Sequence, residues 1–149
     1  MKRVHTTNEE HITLTRNYPI THTTKPHGLW YAIEDEWIDW CESNMPEWLS
    51  KYQYELEVDE SKILTISTTS QFKEFCEEYE ISIDYYSSVD WNKVMYQYSG
   101  IEFLNYQSIK LNDYRDMTHI WFWGWDVSGG CIWDLSIIKN IQKLKINTT

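Results

Sequence analysis

Few side chains in this sequence are spaced for metal or nucleophilic chemistry. The five histidines are His5, His11, His22, His27 and His119. No pair has HxH or HxxxH spacing, and no CxxC accompanies them. A zinc site needs converging ligands held by a further layer of partners, so no metal site is predicted and the histidines read as ordinary loop or surface residues. There is no GxSxG, and Cys131 stands in no context that would lower its pKa, which predicts a buried, inert thiol. Gly129-Gly130 lacks both the Lys-Ser/Thr of a Walker loop and the GxGxxG fingerprint. What remains is a polar-aromatic set: His5-Thr6, Gly28-Leu29-Trp30-Tyr31-Ala32, and Trp125-Asp126 before a Ser128-Gly129-Gly130 turn, with Trp133 after it. Rings beside a glycine-rich turn suit a planar ligand, because rings stack and glycine lets backbone approach closely. The same rings also suit a core, since most of the nine Trp of a 149-residue chain must be buried.

These residues need elements to hold them. Residues 2–7 read as a short strand, 8–27 as polar loop with at most a turn of helix, and 28–33 as an apolar strand. Asp35 is placed to cap a helix in which Trp37, Trp40 and Cys41 share one face. Pro46 interrupts it and can start a second short helix through Trp48 and Leu49. Residues 52–58 alternate as a half-buried strand, with Tyr52, Tyr54, Leu56 and Val58 inward, and 62–67 form another. Thr68 and Gln71 make a capping box for a helix carrying Phe72, Phe75, Cys76 and Tyr79. A further helix begins near Asp90, with Trp91, Val94, Met95 and Tyr98 at helical spacing, and Gly100 ends it. Residues 101–104, 118–123 and 131–133 read as strands. Residues 135–146 fit either a helix or an edge strand. The sum is α+β: mostly antiparallel strands with short helices, in one domain spanning 1–149.

Composition sets the remaining bounds. The chain is 42% hydrophobic and 24% charged, which excludes a disordered acidic tail. Its net charge of -10, from 13 basic and 23 acidic residues, is the wrong sign for an extended nucleic-acid groove. Aromatic residues reach 16%. Three cysteines without a CxxC suggest a reduced, cytoplasmic protein with free thiols. No signal peptide or membrane span is expected.

The order of these short motifs carries a family resemblance. His5-Thr6-Thr7, then Gly28-Leu29-Trp30-Tyr31-Ala32, then Trp40-Cys41, Glu57-Val58 and Cys131-Ile132-Trp133-Asp134 resemble the ADP-ribosyltransferase fold in its diphtheria-toxin and poly(ADP-ribose)-polymerase branch. The resemblance touches about half the chain in scattered pieces. It implies a two-sheet fold with NAD⁺ as substrate, bound in a cleft between the sheets, and no metal. His5 would hold a ribose hydroxyl and the backbone at Thr6 the carboxamide. Gly28 opens the strand from which Trp30 would stack on the nicotinamide; Tyr31 takes that role if the register shifts by one. An acid would polarise the ribose 2′-hydroxyl while nicotinamide leaves.

The sequence departs from the family pattern at two points. Trp30 stands where the family has Tyr. Ser128-Gly129-Gly130 stands where its catalytic Glu is expected, which leaves Asp126 or Glu102 as the acid. Asp126 is favoured, because it abuts the flexible turn between Trp125 and Trp133. Glu102 lies in an alternating strand that predicts an outward, solvated side chain. His22-Thr23 is a second His-Thr pair. Arg3 would suit an arginine-type transferase, but residues 28–32 do not fit that pattern.

Two function classes follow. In the first, the chain transfers ADP-ribose from NAD⁺ to a macromolecule (RNA, DNA or protein), as small toxin-type transferases of bacterial and phage conflict, toxin–antitoxin and phage-defence systems do; an antitoxin would then be a partner. In the second, it is a non-catalytic acidic module that blocks a basic partner, as a phage inhibitor or immunity protein would.

Overall fold

The computed structural model describes residues 1–14, 25–83, 85–113 and 119–146, and its fold is α+β. The strands are β1 (Arg3–Thr7), β2 (Leu29–Ile33), β3 (Tyr52–Val58), β4 (Ile63–Ile66), β5 (Glu80–Ile83), β6 (Tyr86–Val89), β7 (Gly100–Phe103), β8 (Gly129–Ile132) and β9 (Ile138–Ile146). The helices are α1 (Glu36–Asn44), α2 (Thr69–Tyr79), α3 (Trp91–Gln97), α4 (Tyr106–Asp113) and α5 (Ile120–Trp123). Seven strands form one sheet in the order β4-β7-β8-β2-β1-β3-β9, and β5 and β6 form a separate hairpin. Neighbours are antiparallel except β4 and β7, which run parallel.

Local chemistry explains most boundaries. Thr68 Oγ1 accepts from the Gln71 amide while the Gln71 side chain accepts from the Thr68 amide, so α2 starts in the capping box read from sequence. Asp90 caps α3 by accepting from the Lys93 amide. Asp35 sits at the N-cap of α1 but makes no side-chain capping bond, contrary to expectation. Pro46 opens a single 3-10 turn, Pro46–Trp48.

Two strand readings are corrected or resolved. Within the apolar run predicted as a strand at 118–123, Ile120–Trp123 form the short helix α5, which buries Trp121 and Phe122; residue 118 lies outside the described residues. An apolar run this short carries no period that separates strand from buried helix. The ambiguous tail is an edge strand, β9, paired along β3.

The sheet has a core on each side. Leu29, Tyr31, Ile33, Leu56, Val58 and Ile132 share one cluster with Leu135 and Ile137 of a 3-10 turn. Ile66, Ile101, Phe103 and Cys131 share the other with the aromatics of α2, α3 and α5, and Trp30 packs against it. Phe72, Phe103 and Trp121 meet at ring separations of 5.9–6.4 Å. All three cysteines are buried, and no disulfide joins them.

One charged group spans the sheet. Arg3 and Glu102 are 6% and 1% exposed. Arg3 Nε and Nη2 donate to the two Glu102 oxygens at 3.0 and 3.1 Å, a bidentate pair. Tyr31 Oη donates to Oε1 at 2.7 Å and Thr65 Oγ1 to Oε2 at 2.9 Å. Arg3 Nη1 also donates to Glu60 at 3.0 Å. The group passes over Gly130, where a Cβ would lie 2.5 Å from the Tyr31 hydroxyl. Glu102 is thus neither outward nor solvated, which corrects the sequence reading. Burial alone would raise its pKa; hydrogen bonds from Arg3 and Tyr31 and the Arg3 charge outweigh burial and hold it below the ordinary 4.5.

A depressed carboxyl stabilises the fold above its unfolded pKa, and that contribution fades as pH falls through the folded value. Urea unfolding of Glu102→Gln across pH 2–7 is expected to show a flatter loss of stability below about pH 4.5 than the parent chain. Glu102→Ala strands the Arg3 charge and is expected to cost about 3–5 kcal/mol at pH 7. Unchanged acid limbs in both variants would remove the pair from the stability of the fold.

Candidate functional site

Strands β1 and β2 pair only at Arg3↔Ile33 and Val4↔Ala32. Beyond Val4 the ladder stops, and the His5 ring takes up the Trp30 carbonyl through Nδ1. A carbonyl can only accept, so Nδ1 carries the proton and Nε2 is the acceptor of the neutral ring. Burial lowers the His5 pKa against the opposing pull of that carbonyl and of Glu9, which keeps the ring neutral at pH 7.

This opening is one wall of a cavity of about 420 Å³. That size is ordinary for a small-molecule site. Trp30 and Trp125 meet edge to face, with ring centroids 4.8 Å apart. Trp37 and Trp48 stand in the lining as well. Lys25 Nζ lies 5.5 Å from the centre of the Trp30 ring, over its face. Gly129 and Gly130 supply lining without side chains.

Asp126 is the one carboxylate among the described lining residues. It follows α5 with φ of 67°, in the left-handed region that costs a non-glycine residue. Its carbonyl accepts from Gln107 Nε2 at 3.1 Å, which helps fix the turn. Burial pushes its carboxyl above the ordinary 3.8, against the pull of Lys25 and Lys110. A half-buried acid in a left-handed turn, beside aromatic walls, is a costly arrangement of the kind that concentrates at functional sites.

Of the residues singled out from sequence, His5, Thr6, Trp30, Tyr31 and Asp126 line this one cavity. Tyr31 also has its hydroxyl committed to Glu102. Glu102 does not line the cavity; its oxygens are taken by Arg3, Tyr31 and Thr65. Gly28 does not line it either. A Cβ there would meet the Ile132 carbonyl at 2.5 Å and Cys131 Sγ at 2.6 Å, so its need is close packing. Trp133 is a core residue whose Nε1 donates to the Tyr98 carbonyl at 2.7 Å. Cys131 is fully buried and its thiol pKa is pushed up, in line with an inert thiol. His22 and Thr23 lie outside the described residues.

Sequence reading missed Lys25, Trp37, Trp48 and Ser50 as lining residues. Of the α1 face read as Trp37, Trp40 and Cys41, Cys41 is buried and the two indoles are half-buried; Ile38 is the other buried residue of the helix. Cys76, Glu80 and His119 also converge, with ligand-type atoms within 4.8 Å of one another. Glu80 Oε2 there accepts from His119 Nδ1 at 2.7 Å and from Trp121 Nε1 at 2.9 Å, so this carboxylate is satisfied by protein donors. No spacing rule reveals this group, because His119 reaches α2 from a distant segment.

Comparison of the chain with known protein families, curated proteins and solved structures returns no match. Among the described residues, no helix is long and apolar enough to cross a membrane.

The raised Asp126 pKa has a stability consequence of definite sign. A carboxyl whose folded pKa is raised favours the fold only below its unfolded value, and that support is lost as pH rises through the folded value. Asp126→Asn removes the buried charge and keeps a residue that tolerates positive φ. The melting temperature is therefore expected to rise at pH 7, with the gap closing below about pH 3.8. A lower melting temperature at pH 7 would make Asp126 a structural turn residue.

Proposed function

We propose that this cavity binds NAD⁺ and that the protein transfers ADP-ribose to a macromolecular acceptor. The observation that carries the reading is convergence: His5, Thr6, Trp30 and Asp126, from three separated stretches of sequence, line one aromatic cavity. His5, Thr6 and Trp30 are positions that the resemblance to the ADP-ribosyltransferase fold singles out, and Asp126 is the carboxylate favoured because the family's catalytic Glu has no counterpart here. Neutral His5 offers Nε2 as acceptor to a ribose hydroxyl. Backbone at Thr6 meets the carboxamide. Trp30 gives the nicotinamidium ring a face already attractive to a cation, as Lys25 demonstrates.

In this reading the bond between ribose C1′ and the nicotinamide nitrogen breaks, and nicotinamide leaves with the bonding pair. The acceptor nucleophile forms the new bond to C1′, and its proton passes to Asp126 or to water. Positive charge builds on the ribose as the ring departs. A carboxylate at the 2′-hydroxyl stabilises that charge, the more so between indole walls that exclude water. Asp126 supplies it, because the Glu102 oxygens are held by four donors. A role as a toxin of bacterial or phage conflict belongs to the same proposal.

The second reading, an acidic module that blocks a basic partner, draws on the net charge of -10 and on Trp48, which is 51% exposed. Nicotinamide release separates the two. NAD⁺ is expected to raise the melting temperature of the chain by mass action and to be consumed with release of free nicotinamide. Asp126→Asn should retain the thermal shift and lose roughly 10²–10³-fold in turnover. His5→Ala should lose turnover, with a fall in melting temperature no larger than the loss of one hydrogen bond to the Trp30 carbonyl gives. Full turnover in Asp126→Asn, or no shift with NAD⁺, would end this reading.

A further inference from the structure

Helix α1 and the 3-10 turn after it set three indoles at the rim of the cavity. Trp37 and Trp40 stack with centroids 5.1 Å apart and planes at 8°. Trp48 lies 6.4 Å from Trp37 and 5.7 Å from Trp40. Core stacks are covered, but here Trp48 is half open to solvent and its partners are half-buried. An exposed stack of this kind sits on the surface for a partner to cover. Its exposed chain neighbour is acidic: Glu47 precedes Trp48 and is open to solvent. Glu36, by contrast, accepts from the Ser128 amide at 3.4 Å. The nearby Lys51 ammonium lies over the Tyr52 ring instead.

We propose that this acidic three-tryptophan rim binds arginine side chains of a basic, extended protein segment. Indole is the strongest aromatic partner for a cation. A guanidinium is planar and weakly hydrated, so it stacks on the ring while its N–H groups reach carboxylates at the edge. A lysine ammonium lacks the plane. Nucleic-acid phosphates would meet the acidic flank and a net charge of -10. The inference does not rest on the chemistry of the cavity. If the cavity transfers ADP-ribose, Trp37 and Trp48, which line both, bring the bound segment to its mouth.

The test uses the full chain and four probes at low salt: an unstructured peptide with three arginines spaced by Gly-Ser, matched lysine and citrulline peptides, and a single-stranded oligonucleotide of similar length. Calorimetry and tryptophan fluorescence read binding. The arginine peptide is expected to bind, and the citrulline peptide at least ten-fold more weakly. Trp48→Ala should weaken the arginine peptide by roughly 3- to 30-fold, and Glu47→Gln should weaken it less and reduce its salt dependence. Unchanged melting temperatures in both variants keep the comparison free of folding effects. Asp126→Asn should bind the peptide as the parent does, so this inference and the transfer reading fail separately. Absence of arginine-peptide binding, or binding that Trp48→Ala leaves intact, overturns the proposal. Trp48-dependent binding of the oligonucleotide alone also overturns it and makes the rim a nucleobase platform.

Discussion

The buried Arg3–Glu102 pair constrains everything else in the sheet. Two opposite charges withdrawn from water are tolerated only when every donor and acceptor is answered, and here Tyr31, Thr65 and Glu60 answer them. The pair links the first strand to β7, across β2 and β8. It can do so because Gly130 leaves the space above β8 clear. The same arrangement withdraws Glu102 from solution chemistry. It leaves Asp126, on the other approach to the same strands, as the carboxylate of the cavity.

The cavity is a by-product of how the two central strands disengage. Where the β1–β2 ladder ends, backbone groups need other partners, and the His5 ring supplies one. That bond fixes the tautomer of His5 with no charged residue involved. The tryptophans differ in environment. Trp91 and Trp121 fill the core beneath α2 and α3, Trp37 and Trp48 face the opening, and Trp30 and Trp125 touch both. Composition alone makes no such division.

What could be read in the sequence follows from which interactions are local. The Thr68–Gln71 capping box and the Asp90 cap involve residues three apart, and both stand where the spacing puts them. The strands around His5 and Trp30 were legible from short apolar or alternating runs, and they are neighbours in the sheet. Glu102 was misread because alternation implies a wet face. At β7 the sheet is covered on both sides, so every residue of that strand is buried, Glu102 included. The run ending in Trp123 was misread because apolar content does not distinguish a strand from a four-residue buried helix. The α4 helix and the β5–β6 hairpin gave no signal strong enough to place. Lys25 lines the cavity, and the polar run in which it stands carries no periodic pattern that would place it there.

The sheet ends in two very different edges. β4 is four residues long, flanked by a 3-10 turn and α2. β9, at the other end, is nine residues long and, among the described residues, pairs with β3 alone. A strand of that length with a free side is a template on which another chain can grow a ladder. β9 carries Lys139, Asn140, Gln142 and Lys143 as exposed residues, and Lys143 reaches Glu10 at 3.7 Å. Its ladder with β3 is broken by irregularities at both ends. Exposed lysines and an irregular register on an edge strand both oppose the addition of a further strand there.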